Sequence, residues 1–267
     1  MTNKYFSRKC KAATFPLMFS IDGCEEYPIS VHGSGVWISF GDDVYLLHTH
    51  HSVTSQGHDL TDLLYYQELP GDTHILKSEI YTIQTKDCGI FFSDFVFRKI
   101  HRDSIFHKQL LKIAVPLLRN DISDLQNQPV FVCGAPRLGG AGNCDSVHQI
   151  IRTPKHGFTA IVKAIDSKEC RLTLHVDNFE GLVDNPQTTE ERGLCGMSGG
   201  GLFVPDEKGK PILAGVLIQG SVRSKRIEAL STSAIIPLIH LAEMKEQYPN
   251  AICWHDSQGF HLDTHKK

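Results

Sequence analysis

The chain has 267 residues, of which 41% are apolar and 21% are charged. Lysine and arginine number 27 and aspartate and glutamate 30, so the formal net charge at pH 7 is −3. This near-balance argues against a dedicated nucleic-acid-binding or membrane-surface protein. No stretch approaches the roughly 18 consecutive apolar residues of a transmembrane helix, and the first residues lack the continuous apolar segment of a secretory signal.

Short apolar or alternating runs between turn signals predict a mainly β protein. In chain order the predicted strands are 31–40, 44–47, 75–84, 88–97, 129–133, 158–165, 170–176, 201–204 and 212–218. Helical periodicity is convincing only over Ala234–Tyr248. A shorter helix is expected at about 59–66.

The polar stretch Arg119–Gln128 separates two β-rich halves and is interpreted as a linker. The chain therefore divides into an N-terminal extension, a first β unit, a second β unit that includes the helix, and a polar tail. Their expected bounds are 1–25, 26–120, 121–248 and 249–267.

Eight cysteines are present, and no two form a Cys-x-x-Cys pair. This spacing predicts no structural zinc site. An even cysteine count in a chain this long is weak evidence for disulfides, which are concentrated in small secreted domains. We expect mostly reduced thiols in a cytoplasmic protein.

Residues 193–201 read GLCGMSGGG and place Ser198 among glycines just before a predicted strand. Glycine reaches backbone angles that other residues avoid. It also lets neighbouring N–H groups point into one space, which is how an oxyanion hole is built. The alternative is a glycine-rich hairpin turn without a function.

Residues 48–51 contain three histidines at the end of an apolar predicted strand. A serine hydroxyl is a poor nucleophile until a neighbouring imidazole takes its proton. A metal site is the rival interpretation, but in an extended strand His48 and His50 share one face and His51 lies on the other. At most two of the rings are then neighbours, and histidines without any role are the third interpretation.

Asp87 and Asp94 bracket an apolar run that is typical of a buried strand. A buried carboxylate needs a partner, and an imidazole N–H is a suitable one because the carboxylate fixes the tautomer of the ring. Each aspartate can equally be a turn residue that faces water. Spacing alone does not choose between the two.

Taken in order, these segments resemble the chymotrypsin-like serine peptidases. Residues 196–200 match the family's nucleophile motif G-x-S-G-G, and 33–53 are similar to its segment G-S-G-F…L-T-A-A-H-x-V. Residues 87–91 are similar to the start of its D-I-A-L-L-K-L strand, and 131–136 to the G-x-P strand that opens its second barrel. The matching segments span about residues 31–240.

The resemblance implies an all-β fold of two six-stranded antiparallel β-barrels, with a C-terminal α-helix and the active site between the barrels. It implies a serine endopeptidase that acts on polypeptides without a metal or cofactor. Ser198 would be the nucleophile, His51 the general base and Asp87 the orienting carboxylate. Asp94 fits this last role less well. The backbone N–H groups of Gly196 and Ser198 would hold the oxyanion.

The resemblance also implies a substrate-binding region. Ile218, Gln219 and Gly220 would pair with the substrate backbone by β-strand addition. Arg192 lies six residues before Ser198, where the family places the floor of its primary specificity pocket. A cation there would favour aspartate or glutamate side chains in the substrate.

Several residues depart from the family pattern. Met197 stands where zymogen-activated relatives have an aspartate, so we expect no activation by an N-terminal ion pair. Thr49 and His50 replace two alanines, which leaves His50 open as an alternative to His51. Cys195 lies in Gly-Leu-Cys-Gly, which is similar to the G-x-C-G motif of viral cysteine peptidases with the same fold, and is the rival nucleophile.

Three interpretations follow. The leading one is a cytoplasmic serine peptidase whose activity is restrained by a regulatory protein partner or another effector. The second is a pseudoprotease that binds peptides in the cleft without cutting them. The third is a metal-binding protein built on the histidine cluster.

Overall fold

The computed structural model describes the main elements of both halves of the chain. The described residues are 4–20, 29–55, 57–66, 73–75, 78–82, 94–118, 122–136, 143–145, 150–152, 155–167, 170–176, 194, 196–221, 223–247, 252–256 and 259–263. These residues form a mostly β structure, as predicted. None of the helices among them is long and apolar enough to cross a membrane.

The first half contains an N-terminal helix and a large sheet. Its elements are α1 (Lys4–Ala13), β1 (Thr14–Ser20), β2 (Ile29–Phe40), β3 (Asp43–Thr49), α2 (His51–Thr54), a 3-10 helix (Leu60–Asp62), β4 (Leu64–Tyr66), β5 (Thr73–Ile75), β6 (Ser78–Thr82), β7 (Phe95–Ile100), α3 (His107–Ile113) and β8 (Val115–Pro116). Residues 1–25, which were expected to be an N-terminal extension, thus contain helix α1 and also supply strand β1 to this sheet.

The second half contains a barrel followed by a helix and a hairpin. Its elements are a 3-10 helix (Ile122–Leu125), β9 (Pro129–Gly134), β10 (Asn143–Asp145), β11 (Ile150–Arg152), β12 (His156–Asp166), β13 (Arg171–His175), β14 (Gly201–Pro205), β15 (Pro211–Ser221), β16 (Arg226–Ser231), α4 (Thr232–Gln247), β17 (Ile252–Asp256) and β18 (Gly259–Asp263). The hairpin β17–β18 lies within the segment expected to be a polar tail.

Strand pairing differs between the two halves. In the second half, β12, β13, β16, β15, β14 and β9 pair in that order and close into a six-stranded antiparallel barrel. In the first half the order is β5-β4-β1-β2-β3-β7-β6, with β8 parallel to β2. Over the described residues the sheet of the first half, called the first sheet below, is an open path rather than a closed ring.

The helix predicted at about 59–66 is wrong. The Asp59 side chain accepts a hydrogen bond from the Thr61 N–H, and Asp62 accepts from the Asp59 N–H, so a capping box holds a single 3-10 turn. Leu63 then adopts an extended backbone with a fully buried side chain, and β4 follows. Leu63 packs in the hydrophobic core of the first half, and its burial there outweighs local helix propensity.

Three hydrophobic cores hold the molecule together. One lies in the first sheet and includes Trp37 and Leu46, and one fills the barrel and includes Val132 and Leu202. The third lies between the two halves. Strand β3 is buried along its whole length because alternate side chains enter the first core and the core between the halves, and this explains its continuous apolar run.

Helix α1 packs against both halves. Its residues Phe6, Cys10 and Ala13 recur at helical spacing and are buried in the core between the halves. The Phe6 ring meets that of Phe131 on β9 edge to face, with the ring centroids 6.0 Å apart. This shared core places the end of β3 beside the loop that precedes β14.

Candidate active site

The first part of the site is a histidine–aspartate pair at the edge of the first sheet. Strands β3 and β7 are antiparallel, with Thr49 paired to Phe95, so the residue before β7 lies beside the residues that follow β3. The Asp94 carboxylate accepts two hydrogen bonds from His51, one from the backbone N–H at 2.8 Å and one from Nδ1 at 2.5 Å. The backbone N–H of His50 donates to the Asp94 carbonyl.

This pairing assigns the tautomer of His51. An ionised carboxylate can only accept, so Nδ1 carries the proton and Nε2 is left as an acceptor. The side chain of His51 is 46% exposed and that of Asp94 15% exposed, so the ring is accessible while its partner is mostly covered. A carboxylate in this position orients an imidazole and stabilises the imidazolium that forms when Nε2 takes a proton.

The carboxylate beside His51 is therefore that of Asp94, the second of the two candidates. Asp87, the first candidate, lies outside the described residues. A usable signal was present in the sequence, because Asp94 directly precedes the six-residue strand FVFRKI. That strand ends in a lysine and an apolar residue, as the family motif D-I-A-L-L-K-L does.

The second part of the site is the glycine-rich turn that carries Ser198. Gly196 and Gly199 have φ of 83° and 85°, values that side-chain-bearing residues rarely adopt. The N–H of Met197 turns back to the Leu194 carbonyl at 3.1 Å. The N–H groups on either side of it, those of Gly196 and Ser198, have no acceptor among the described residues. Within the described part of the chain, the Met197 N–H is therefore the one of these three that is bonded across the turn.

Ser34 ties this turn to the first sheet. Its N–H donates to the Ser198 carbonyl at 3.0 Å, and its Oγ donates to the Gly196 carbonyl at 2.7 Å. The same Oγ accepts from the N–H of Ala135, which follows β9, at 2.7 Å. A Cβ added at Gly199 would overlap the Ser34 carbonyl oxygen, so the turn approaches β2 as closely as glycine allows. In the sequence, Ser34 is only one residue of the segment 33–53, and no local pattern indicates this contact.

The Ser198 hydroxyl does not engage His51 in this structure. Its Oγ donates instead to the backbone carbonyl of Ile218 on β15, at 2.9 Å. Within the described part of the chain, Ser198 Oγ makes no hydrogen bond to the His51 ring. While the hydroxyl donates its proton to the Ile218 carbonyl, that proton is not shared with His51.

A pocket of about 220 Å³, open to solvent, adjoins Ser198. It is lined by Leu194, Met197, Ser198, Leu217, Gln219, Gly220 and Ile227. Of the predicted substrate-binding residues, Gln219 and Gly220 are therefore at the pocket, and Ile218 contacts the Ser198 hydroxyl. Arg192 lies outside the described residues.

The other two histidines of the cluster have different surroundings. His48 is fully buried: its Nδ1 bonds to the Thr49 carbonyl at 3.1 Å, and its Nε2 accepts from Arg98 Nε at 2.9 Å. Burial and the adjacent guanidinium lower the pKa of His48 to about 3, so the ring is neutral. His50 Nδ1 lies 3.2 Å from the Thr54 hydroxyl. No group of three or more potential ligands in the described residues could hold a metal ion.

Two free cysteines lie in the core between the halves. Cys10 on α1 and Cys133 on β9 are fully buried, and burial raises the pKa of both thiols, that of Cys133 to about 11. The thiolate is the nucleophilic form of cysteine, so neither residue is a nucleophile near neutral pH. The rival nucleophile Cys195 lies outside the described residues.

Comparison with known proteins does not assign the chain to a family. No protein-family model matches the sequence, and no curated protein matches it. A function must therefore be argued from the residues and geometry of this site.

Proposed function

We propose that the protein is a serine endopeptidase in which Ser198, His51 and Asp94 form the catalytic triad. The observation that carries this proposal is the double hydrogen bond from His51 to the Asp94 carboxylate. It gives the imidazole a fixed tautomer and leaves Nε2 free to accept a proton on a ring that solvent can reach. The proposal includes a chymotrypsin-like fold, in which six strands of the first half also close into a barrel.

The proposed reaction uses these groups in a defined order. His51 Nε2 takes the Ser198 hydroxyl proton as Oγ attacks the substrate carbonyl carbon, and Asp94 stabilises the imidazolium. The N–H groups of Gly196 and Ser198 hold the oxyanion. His51 then protonates the leaving amine, and the C–N bond breaks to give an acyl-enzyme. Water, deprotonated by His51, hydrolyses the ester and restores Ser198.

Substrate binding is proposed to use the last residues of β15. Gln219, Gly220 and Ser221 are exposed, and a peptide that adds to this strand would supply backbone N–H groups. A substrate N–H that bonds to the Ile218 carbonyl would compete with the Ser198 hydroxyl for the same acceptor. The serine would then be free to rotate toward His51.

A fluorophosphonate probe tests the proposal, because it labels activated serines covalently. Mass spectrometry of the wild type should locate the label on Ser198, with labelling lost in Ser198→Ala and His51→Ala and retained in Cys195→Ala. A label that depends on Cys195 would assign the nucleophile to the cysteine instead. If no variant is labelled, addition of cell extract tests for a restraining partner or effector.

A peptide-binding pseudoprotease is the second candidate. It is favoured by one observation, the hydrogen bond that holds the Ser198 hydroxyl on Ile218 and away from His51. This candidate predicts that peptides bind wild type and Ser198→Ala equally well and that neither is labelled or cuts the peptide. Turnover by the wild type would exclude it.

A further inference from the structure

The large hydrophobic side chains that are exposed among the described residues all lie on or beside two helices of the first half. Tyr5 on α1 is 54% exposed, Leu111 on α3 is 39% exposed, and Ile105, two residues before α3, is 79% exposed. Exposed apolar residues that are scattered singly over a surface need no explanation. Their concentration at one pair of helices does need one.

The same two helices are strongly basic. They have 10 and 7 residues, and neither contains an aspartate or a glutamate. All of their lysines and arginines are exposed, namely Lys4, Arg8, Lys9, Lys11, Lys108 and Lys112. The turn before α3 adds Arg102, which donates to the Asp43 carboxylate, and one exposed carboxylate, that of Asp103. The net charge of −3 for the whole chain therefore conceals a local excess of cations.

Helix α1 directs its cations away from the body of the protein. Its buried face enters the core between the halves. Because successive residues turn by about 100°, Lys4, Arg8 and Lys11 follow a stripe on the opposite face. Tyr5 and Lys9 lie on the flank of this stripe, with Lys9 Nζ 5.8 Å from the centre of the Tyr5 ring.

Helix α3 has the same arrangement. His107 and Leu110 are buried, the latter in the core of the first half. Lys108 and Lys112, one turn apart, are exposed. Since α1 and α3 contact each other, their outer faces adjoin. These outer faces together with Ile105 are called the basic–apolar face below.

We propose that the basic–apolar face binds the surface of a lipid bilayer that contains anionic phospholipids. Each lysine or arginine near such a surface is attracted by the anionic headgroups. The exposed isoleucine, leucine and tyrosine side chains can enter the interfacial region without leaving the core of the protein. Binding of this kind strengthens with both the apolar area buried and the attraction to anionic lipids, and this face supplies both contributions.

Other polyanions fit this face less well. A nucleic acid would use the lysines and arginines through its phosphates, but a double helix offers no apolar phase to Ile105 and Leu111. An acidic polypeptide would have to follow both helices to reach all the cations, whereas a bilayer surface extends over both. The exposed aliphatic side chains therefore favour a bilayer.

Co-sedimentation of the full chain with lipid vesicles tests the proposal. Vesicles of phosphatidylcholine with about 30% phosphatidylserine should bind the protein at least about 30-fold more strongly than vesicles of phosphatidylcholine alone, since each cation contributes about fivefold. Raising the salt concentration from about 0.1 M to about 0.5 M should release most of the protein because salt screens the attraction. Equal binding to the two kinds of vesicle, or no binding to either, overturns the proposal.

Charge reversal on each helix tests whether this face is responsible. Lys4→Glu combined with Arg8→Glu on α1, and Lys108→Glu combined with Lys112→Glu on α3, should each weaken binding to the anionic vesicles at least about 30-fold. These side chains are exposed, so the urea unfolding midpoint should not change. Undiminished binding in both double variants overturns the assignment to this face.

Two further variants separate charge from apolar insertion. Arg223→Glu combined with Lys225→Glu makes the same change in net charge at exposed positions between β15 and β16, and this control should bind as wild type does. An equal loss in the control would mean that binding follows net charge and would overturn the proposal. Ile105→Ser keeps every charge and should weaken binding about tenfold. Unchanged binding by Ile105→Ser overturns insertion into the bilayer.

An RNA duplex of about 20 base pairs and polyglutamate, titrated at the same salt concentration, test the other polyanions. Weaker binding of both than of the anionic vesicles supports the bilayer as the partner. Stronger binding of either one overturns the proposal and assigns the basic–apolar face to that polyanion. None of these measurements requires Ser198 or His51, so their outcome does not depend on the peptidase proposal.

Discussion

Two histidines three residues apart have opposite environments. His48, near the end of β3, is fully buried and its Nε2 faces the Arg98 guanidinium. His51, at the start of α2, is 46% exposed and bonds through Nδ1 to Asp94. Both rings carry their proton on Nδ1, but His48 donates it to the Thr49 backbone carbonyl and has Arg98 at Nε2, whereas His51 donates it to a carboxylate. A cation faces the first ring and a carboxylate supports the second.

The comparison explains why only one of these rings suits proton transfer. Protonation of His48 at Nε2 would place an N–H against the Arg98 N–H and would add a second buried positive charge. Protonation of His51 creates a cation beside the Asp94 carboxylate and within reach of solvent. The two residues are of the same type and only three positions apart, so the partner and the burial decide which histidine can act as a base.

Among the variants considered, Asp94→Asn should cause the largest change, and that change should be in kcat. Replacing the carboxylate removes the charge that stabilises the imidazolium and allows the wrong tautomer, and in triads of this type kcat falls about 10⁴-fold. The free energy of unfolding should change little because His51 is exposed. Asp87→Asn is the matched control. Equal losses of kcat in the two variants would show that Asp94 is not the specific partner of His51. A loss of kcat confined to Asp87→Asn would assign the orienting carboxylate to Asp87 instead.

His48→Phe should instead affect the free energy of unfolding more than it affects kcat. It leaves the buried Arg98 Nε without its acceptor, so the free energy of unfolding should fall by about 2–3 kcal/mol. His48→Gln can still present an acceptor oxygen to Arg98 and should lose less. Urea unfolding at pH 7 measures both variants. Similar stability in wild type and His48→Phe would show that the contact with Arg98 contributes little.

Ser34→Ala tests the link between the first sheet and the Ser198 turn. Loss of the hydroxyl removes the bond to the Gly196 carbonyl and the acceptor of the Ala135 N–H. Because Ser34 acts through the turn and does not touch the substrate, kcat should fall about 10- to 100-fold with little change in KM. Ser39→Ala, on the same strand but away from the turn, is the control. A change in KM alone would indicate a different role.

Local chain geometry made part of this site predictable. The glycines around Ser198 indicated an unusual backbone, and Gly196 and Gly199 do have positive φ. The β-rich character also followed from alternation and turn residues, as did the positions of about half of the strands, among them β2, β3, β9 and β12–β15. These features depend on residues that are close together in the sequence, which a single chain displays directly.

Contacts between distant residues were the unpredictable part. Asp94 was ranked second because a bulky residue follows it where the family motif has a small one, yet the pairing of Thr49 with Phe95 brings it to His51. Ser34 bonds to Gly196, 162 residues away, and no local pattern shows that contact. The pairing path of the first sheet likewise depends on long-range register, which alternation does not determine.

The smallest expected effect is a pH dependence of stability that comes from His48. Its pKa is about 3 in the folded protein and about 6.5 when unfolded. As the pH falls below 6.5 the unfolded state binds a proton on this ring and the folded state does not. Stability is therefore lost toward acid, by about 1.4 kcal/mol per pH unit from this group.

Urea unfolding at pH 7 and pH 5, in wild type and His48→Gln, isolates this contribution from that of other groups. Between these pH values the wild type should lose about 2 kcal/mol more than the variant, since about 1.5 pH units lie below the unfolded pKa. Parallel losses in the two proteins would mean that His48 is protonated in the folded state. The contrast with His51 would then rest on exposure alone, because a charged His48 could not accept a hydrogen bond from Arg98.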